Sequence, residues 1–267
     1  MPLDLKARFR SYTELWQSLG YAIWCAYLSV KDAFREGRYR DLLRVREHLD
    51  SAFYGWYKTL NHYALNYERN MTPLPRLVPA CAGVVLEIGP GMGNQLYFFD
   101  KSKISRIVGV ECSAKFLPEL RGQIQEHKLE DVYEVVIAGI EDSDVLEKHG
   151  IKPGSVDTIL STGVLCSLPN PEALMREMYK LLKPGGKFIF WEHHQSKDRV
   201  TSVVQGFWDI AWSPFLGGCH LNRDIEGIVL QAGKWENTES IGNDNSERPY
   251  VMLPRVWGEL VKPHELN

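Results

Sequence analysis

Paired cysteines are missing from this sequence, and their absence excludes two kinds of site. The five cysteines are Cys25, Cys81, Cys112, Cys166 and Cys219; no two have the C-x-x-C spacing, and their number is odd. Structural zinc sites and disulfide frameworks both need cysteines in regular groups. The sequence therefore predicts no metal site, and it indicates a reducing compartment, taken as the cytoplasm.

An excess of basic residues is also lacking. The chain has 31 lysines and arginines against 34 acidic residues, a formal net charge of -3. Proteins that bind nucleic acid neutralise its phosphates with a basic surface. We therefore expect no nucleic-acid partner. Five arginines between positions 35 and 46 form a local basic cluster, for which a solvated helix face and a contact with anionic lipid headgroups both stay open.

Long apolar runs are absent as well. The first residues lack the basic start, apolar core and small-residue cleavage site of a secretory signal. The most apolar segment of the N-terminal region, Leu15–Val30, is interrupted by Gln17, Ser18 and Gly20. It is shorter than the roughly 20 apolar residues that span a bilayer. The segment predicts a buried helix or one at a membrane surface, so that peripheral membrane contact stays open.

The 267 residues divide into three regions. Residues 1–70 are rich in aromatic side chains and show no strand alternation, which predicts a helical extension that caps the rest or touches a membrane. Three prolines within Met71–Pro79 exclude a continuous helix there and predict a linker over residues 71–79. Residues 80–267 are then expected to form the catalytic domain.

Within residues 80–267, short apolar runs alternate with helical stretches. The predicted strands are Val84–Ile88, Ile107–Glu111, Tyr133–Ile137, Val156–Leu160 and Lys187–Trp191, with Trp235–Ile241 and Tyr250–Leu260 as closing strands at an antiparallel edge. The predicted helices are Ala114–Lys128 and Pro171–Leu182. This order predicts an α/β, Rossmann-like fold: a mainly parallel seven-stranded sheet with helices on both faces.

A glycine loop follows the first predicted strand. The strand ends at Ile88, and Gly89-Pro90-Gly91-Met92-Gly93 comes next, followed by Asn94 and a predicted helix start. Glycines allow a sharp turn and let a ligand approach the backbone closely. The dinucleotide fingerprint G-x-G-x-x-G requires its third glycine three residues after the second. In this loop that position is Asn94, and the third glycine is Gly93. S-adenosylmethionine carries an ammonium group and no phosphate, and Glu87 before the loop suits such a cation.

A second acidic residue supports a nucleoside-containing cofactor. Glu111 ends the apolar strand Ile107–Glu111. A carboxylate at this place in dinucleotide enzymes accepts hydrogen bonds from ribose hydroxyls. The loop and the acid together favour a cofactor site over a tight turn followed by a solvated glutamate.

These motifs resemble the class I S-adenosylmethionine-dependent methyltransferases. The resemblance rests on Glu87 with the three glycines, on Glu111, and on Leu181–Gly186 (LLKPGG). A narrower resemblance, to the methyltransferase-like family of membrane-associated thiol methyltransferases, rests on Val164–Leu168 and Gly218–Arg223. It implies transfer of a methyl group to a small lipophilic acceptor, with a thiol sulfur or a hydroxyl oxygen as the accepting atom.

The same resemblance implies roles for individual residues. Glu87, Gly89, Gly91, Gly93 and Asn94 would hold the methionine part of the cofactor, and Glu111 would hold the ribose. The residues implied beside the adenine are Cys112, Gly139, Ile140 and Glu141. Those implied under the cofactor, near the methyl group, are Thr162, Gly163 and Val164.

Three histidines are candidates for a catalytic base. His193 follows the fifth predicted strand, at the carboxyl edge where open α/β sheets bind ligands, and His194 and His220 are the alternatives. The aromatic segment Phe207–Phe215 predicts either core packing or a pocket lid. Cys219 is either a plain buried thiol or a contact of the acceptor.

Other functions stay open at this stage. The chain could bind the cofactor and catalyse a different reaction such as a cyclisation, or methylate carbon or nitrogen. A non-catalytic membrane-associated binding module is disfavoured by the intact glycine loop. The sequence leaves the oligomeric state open.

Overall fold

The computed structural model describes residues 5–244 and 250–264, and its first two elements are long helices. Helix α1 spans Leu5–Arg35 and helix α2 spans Val45–Met71, and the two pack against each other. Helix α1 buries Leu15, Leu19 and Ala22, whose spacing of four and three residues places them on one helix face. The helical character predicted for residues 1–70 is therefore confirmed over the described part.

The sheet has seven strands in the order β3-β2-β1-β4-β5-β7-β6. Five strands run parallel, and β7 and β6 add an antiparallel edge next to β5, which confirms the predicted fold class. The strands are β1 Gly83–Ile88, β2 Ile104–Glu111, β3 Tyr133–Ile137, β4 Val156–Thr162, β5 Leu182–His193, β6 Gly242–Asn243 and β7 Arg255–Val261.

Side chains alternate between two buried cores, one on each face of the sheet. Leu86, Ile159 and Phe188 lie in one core, and their chain neighbours Val85, Leu160 and Ile189 lie in the other. Successive side chains of a strand point to opposite faces, so a strand buried on both faces must be apolar at nearly every position. This requirement explains the continuous apolar runs from which these strands were predicted.

Six further helices lie within the described residues 5–244 and 250–264. They are α3 Leu74–Leu77, α4 Leu117–Glu126, α5 Ser143–Lys148, α6 Pro171–Leu181, α7 Arg199–Phe215 and α8 Ile225–Leu230. The predicted helix at Ala114–Lys128 is found as a 3₁₀ turn, Ala114–Phe116, followed by α4. Helix α6 ends at Leu181, one residue before the predicted end, because Leu182 already belongs to β5 and pairs with Val156 of β4.

Two local predictions are wrong. An α-helix was expected directly after the glycine loop, but Asn94–Phe98 forms a 3₁₀ helix of five residues, since Phe99 is extended and β2 begins at Ile104. A strand was expected over Trp235–Ile241, but only Glu236 bridges to β7, and Thr238–Ser240 is a 3₁₀ turn.

The final predicted strand is shorter than expected. Of Tyr250–Leu260, the part from Arg255 onward forms strand, and it begins directly after Pro254, which cannot donate a hydrogen bond to a ladder. Within the proline-rich residues 71–79, Met71 ends α2 and the rest include α3 and the start of a 3₁₀ turn, Val78–Ala80, with Leu74 and Val78 fully buried. They pack into the core as well as connecting the two regions.

Helices α1 and α2 lie against α7 and over the carboxyl ends of the parallel strands. Trp16 of α1 contacts Trp208 of α7 edge to face, with ring centroids 4.8 Å apart. Tyr67 of α2 lies 6.3 Å, centroid to centroid, from Trp191 of β5. Within residues 5–244 and 250–264, no helix combines the length and the apolar character needed to cross a bilayer.

Candidate active site

The predicted cofactor residues meet at the carboxyl edge of the sheet. The loops after β1, β2, β3 and β4 all end there because these strands are parallel. Ligands of open α/β sheets bind at this edge, where the order of the strands reverses. In this sheet the reversal lies between β1 and β4, directly beside the glycine loop.

The glycine loop leaves open space at its centre. Gly91 has a φ of +55°, and a Cβ placed on it would meet no described atom within 4 Å. Gly163, after β4, has a φ of +70° and the same open surroundings. Side chains at these two positions would fill the space between the loops, so the backbone forms a cradle for a ligand.

Glu111 is anchored to the same loop. Its Oε2 accepts a hydrogen bond from the Gly91 N–H at 3.0 Å, and its Oε1 accepts one from the Ser113 N–H at 2.8 Å. The Cys112 thiol also donates to Oε1, at 3.7 Å. A carboxylate has about four acceptor positions, so one remains, on Oε2, for a hydroxyl of a ribose. Next to it, Asp50, Cys112 and Gly218 line an open groove of about 450 Å³.

Glu87 lies deeper than the loop that follows it. Its side chain is fully buried and accepts a hydrogen bond from the Tyr133 hydroxyl at 2.5 Å, while Oε1 has no partner in the described part of the chain. Burial raises the pKa of Glu87 to about 7. A buried acidic oxygen without a partner fits a cationic ligand group nearby, which agrees with an ammonium in the loop.

The loop after β4 is fixed by a buried acid from β5. Glu192 accepts hydrogen bonds from the Ser161 hydroxyl at 2.7 Å and from the N–H groups of Val164 and Leu165 at 3.0 and 3.1 Å. Thr162 precedes this segment. The bonds hold Gly163 and its neighbours in one conformation at the edge of the cradle.

The loop after β3 contains the residues implied beside an adenine. Gly139 donates its N–H to Asp142 at 2.9 Å, and the Glu141 side chain lies against Gly139. Ile140 is partly buried and packs against the core. Ile140 and Glu141 also border a cavity of about 300 Å³ between α5 and α6, which none of the glycine-loop residues line.

Helix α2 forms a roof over the glycine loop, through residues that were not predicted from the sequence. The Asn94 amide donates to the Tyr57 hydroxyl at 3.3 Å, which ties the glycine loop to α2. Glu68 of α2 is buried, its Oε2 has no partner among the described residues, and burial raises its pKa to about 7. Only the density of aromatic residues between positions 53 and 67 hinted that this helix covers a site.

A cavity of about 220 Å³ opens beside the cradle, under the N-terminal helices. It begins at Thr162 and Gly163 and extends toward α7. Aromatic rings dominate its wall, from Phe53, Trp56, Tyr67, Trp191 and Trp212. Trp212 belongs to the segment predicted as core or lid, and it is both buried and part of this wall.

A few polar groups interrupt the apolar wall. They include Glu68, His193 and Arg255. The Arg255 guanidinium lies 3.9 Å over the Trp191 ring, and burial lowers its pKa from the ordinary value. These groups fix the polarity of a pocket whose remaining surface suits a lipophilic molecule.

Of the three histidines predicted from the sequence, His193 lines the cavity. His194 is buried on the other side of the strand end, with its Nδ1 3.9 Å from Asp224. His220 contacts Asp209 and Ser213 at 3.4 Å each. The structure therefore brings one of the three to the place where an acceptor would lie.

Two sulfur atoms surround the His193 ring. Its Nδ1 lies 3.1 Å from Cys219 Sγ and 3.8 Å from Cys166 Sγ. The pKa of Cys219 lies below its ordinary value because the Cys166 thiol donates toward it and His193 stands beside it. Burial, with the positive charge of Arg255, lowers the pKa of His193.

Comparison with known proteins agrees with this geometry. Residues 86–190 match the family model of a methyltransferase domain. The human thiol S-methyltransferase TMT1A is 30% identical over 184 residues, which cover 67% of this chain and 67% of that protein.

Solved structures share the fold. An O-methyltransferase family protein from Burkholderia thailandensis superposes with a TM-score of 0.56 at 15% identity, over 93% of this chain and 71% of its own. Phosphoethanolamine N-methyltransferase 2 from Haemonchus contortus, solved in complex with S-adenosyl-L-methionine, gives a TM-score of 0.52 at 16% identity, over 74% of this chain and 53% of its own.

Proposed function

The chain belongs to the class I S-adenosylmethionine-dependent methyltransferases, in the family that includes the thiol S-methyltransferases, and we propose that its methyl acceptor is a small lipophilic thiol. S-adenosylmethionine is the cofactor. The observation that carries the proposal is the aromatic cavity of about 220 Å³ that begins at Thr162 and Gly163. A cavity of this size admits a compact apolar molecule and gives little room for a protein side chain on its backbone.

The residues around the cradle fit this cofactor. Gly91 leaves room for the ligand, and Glu111 has a free acceptor position on Oε2 for a ribose hydroxyl. Glu87 supplies a buried acidic oxygen on the side of the methionine ammonium. When bound, the cofactor supplies an electrophilic methyl carbon on a sulfonium, and it leaves as a neutral thioether.

The contribution of the chain is mainly positioning. Glu192 holds the loop after β4, which lies between the cradle and the cavity, and an acceptor in the cavity would meet the cofactor beside Thr162 and Gly163. The aromatic wall excludes water, and His193 stands at the cavity surface as a polar contact for the accepting atom.

Sulfur is favoured over oxygen by acidity. A thiol has a pKa of about 8.5, so a useful fraction ionises near neutral pH. A hydroxyl acceptor needs a stronger base. Glu68, with a pKa raised to about 7, is the carboxyl on the cavity wall that meets the requirement for a general base near pH 7. A hydroxyl is therefore the second candidate acceptor.

The test uses labelled S-adenosylmethionine with a panel of small thiols, phenols and amines. We expect labelled thioether products, with rates that increase with the lipophilicity of the thiol. The Gly91→Arg variant should bind S-adenosylhomocysteine at least about a hundredfold more weakly in calorimetry, because the new side chain fills the cradle.

Gly154→Arg is the matched control for backbone strain. Gly154 has a φ of +68°, a Cβ there meets no described atom within 4 Å, and it lies before β4, at the opposite edge of the sheet. Both variants carry about 1–2 kcal/mol of left-handed strain, and Gly154→Arg alone should retain cofactor binding. Cofactor binding without any labelled product across the panel would contradict the proposal and favour another reaction, such as a cyclisation.

We also propose that α1 and α7 contact a membrane surface peripherally. Phe9, Trp16, Ile23 and Val30 repeat every seven residues along α1, and each is at least 40% exposed. Val200, Val203, Phe207 and Ile210 form an exposed face of α7, which packs against α1. We call this combined surface the apolar stripe. Its eight exposed apolar side chains on two packed helices support an interaction surface, since large exposed apolar patches mark such surfaces.

A further inference from the structure

Three metal-binding side chains converge on the wall of the acceptor cavity. Cys166 comes from the turn after β4, His193 from the end of β5, and Cys219 from the loop after α7. Their ligand atoms, two sulfurs and one imidazole nitrogen, all lie within 4.8 Å of one another. Their separation along the chain explains why the sequence predicted no metal site.

The distances match a tetrahedral zinc site. Zinc binds sulfur at about 2.3 Å and imidazole nitrogen at about 2.0–2.1 Å, so a tetrahedral arrangement separates nitrogen from sulfur by about 3.6 Å. The His193 Nδ1 lies 3.1 Å from Cys219 Sγ and 3.8 Å from Cys166 Sγ. Shifts of about half an ångström therefore bring both nitrogen–sulfur distances to the tetrahedral value, and the two sulfurs lie within 4.8 Å of each other.

The surroundings also suit a thiophilic cation. Cys166 and Cys219 are buried, and as thiolates they would neutralise the two charges of a divalent zinc ion. The His193 Nε2 is buried without a hydrogen-bond partner in the described chain, so Nδ1 is the ring atom directed at the two sulfurs. The cluster contains no carboxylate, which favours zinc over hard cations such as magnesium or calcium.

We propose that Cys166, His193 and Cys219 bind one zinc ion whose fourth position faces the acceptor cavity. All three residues line that cavity together with Thr162 and Gly163. Three protein ligands and one open position are the arrangement of catalytic zinc sites, whereas structural sites use four protein ligands.

The open position gives the acceptor a defined place, and this part of the inference rests on the proposed function. A thiol that binds there releases its proton to solvent and remains as a coordinated thiolate. Its sulfur then forms the new bond to the methyl carbon, while the sulfonium carbon–sulfur bond breaks and its electron pair stays on S-adenosylhomocysteine.

The experiment begins with full-length protein freed of metal by a chelator and kept reduced with a phosphine. Zinc titration should show one ion per chain, and cobalt in its place should give a thiolate-to-cobalt charge-transfer band. Cys166→Ser, Cys219→Ser and His193→Ala should each weaken binding by more than about tenfold, since changes outside the ligand set already cost 10–100-fold. Thermal melting of each variant checks that it is folded.

Two other cysteines provide matched controls. Cys81 is buried in the core and Cys25 lies half-buried in α1, both outside the cluster. Cys81→Ser and Cys25→Ser should bind cobalt with the parent spectrum. Absence of the charge-transfer band in the parent, or its persistence in a Cys166→Ser, Cys219→Ser double variant, would overturn the site.

Thiophenol tests the fourth position separately. When it is added to the cobalt form, a further thiolate should intensify and shift the charge-transfer band; an unchanged spectrum at saturating thiophenol would refute the open position. The outcome is independent of turnover. A cobalt-binding protein that methylates no thiol would leave this site standing and contradict the proposed function.

Discussion

The Glu87 carboxyl affects both the candidate cofactor site and the stability of the protein. Its carboxyl is fully buried, contacts the Tyr133 hydroxyl from β3 and lies near the charge of Glu111 on β2. Burial raises its pKa from 4.5 to about 7. The folded protein therefore holds a proton on this residue at pH values where the unfolded chain has released it.

The Glu87→Gln variant should change how stability depends on pH. Between about pH 4.5 and 7 the native state binds more protons at Glu87 than the unfolded state does, so stability falls as the pH rises through this window. One such group accounts for a loss on the order of 3 kcal/mol over the window. The amide has no proton to release, and urea unfolding at several pH values should show a correspondingly smaller decline in the free energy of unfolding.

Glu130→Gln is the control for this prediction. It makes the same substitution at an exposed position, where no carboxyl is withdrawn from water. The pH profile of this variant should follow the parent. A Glu87→Gln profile that also follows the parent would show that Glu87 is ionised throughout the range.

The candidate cofactor residues could be singled out one by one because they lie in short local patterns. Gly91 and Glu111 each follow an apolar strand, and the structure brings them within hydrogen-bond distance. Tyr57 and Glu68 were missed, since a long helix carries no local mark of what it covers. The Cys166–His193–Cys219 cluster was missed for a related reason: spacing along the chain says nothing about three loops that meet only after folding.

At the scale of elements, strands were predicted more accurately than the segments between them. A strand buried on both faces must be apolar throughout, which makes β1 and β4 visible in the sequence. Trp235–Ile241 lacks such an apolar run, and it pairs with β7 only at Glu236 before a short 3₁₀ turn. Pairing between distant segments decides such cases, and composition does not reveal it.

The loop after β4 depends on one carboxylate from the neighbouring strand. Glu192→Gln should destabilise the protein by about 1–3 kcal/mol, because the amide NH₂ group cannot accept from Val164 and Leu165 and leaves a buried N–H unpaired. The same change should weaken binding of S-adenosylhomocysteine several-fold, since the loop borders the cradle. Urea unfolding and calorimetry measure the two effects.

Glu259→Gln provides the comparison within the same sheet. Glu259 lies on β7 and pairs with Lys187 at 2.6 Å on a partly exposed surface. Ion pairs in such places contribute about 0–1 kcal/mol. Equal losses of stability in both variants, with cofactor binding unchanged in Glu192→Gln, would show that the Glu192 bonds do not hold the loop.

At the scale of the whole molecule, the cavity and the apolar stripe belong to the same two helices. Helices α1 and α7 contribute Ser18 and Trp212 to the cavity wall, and their outer faces form the stripe. The Arg8 guanidinium joins α1 to Asp198 at the start of α7 at 2.8 Å, which keeps the two faces aligned. With the proposed membrane contact, the cavity would lie behind the stripe, on the inner faces of the same two helices.

Binding to lipid vesicles tests this arrangement. Vesicles of phosphatidylcholine with phosphatidylserine should sediment the parent protein, and a Phe207→Asp, Ile210→Asp double variant should sediment at least about tenfold less. Phe207 is 70% exposed and Ile210 77% exposed, so the change leaves the core intact. Each such side chain contributes about 1.5–3 kcal/mol when it is fully removed from water, and tenfold corresponds to about 1.4 kcal/mol.

Leu230→Asp is the control, because it removes an exposed apolar side chain that lies outside the stripe. Leu230 is 36% exposed on α8, which packs with α6 and lies outside the stripe. This variant should sediment with vesicles like the parent, and all variants should methylate a water-soluble thiol at the parental rate, because neither Phe207 nor Ile210 lines the cavity. If the parent does not sediment and light scattering gives twice the chain mass, the stripe buries against a second copy of the chain, and the membrane contact is refuted.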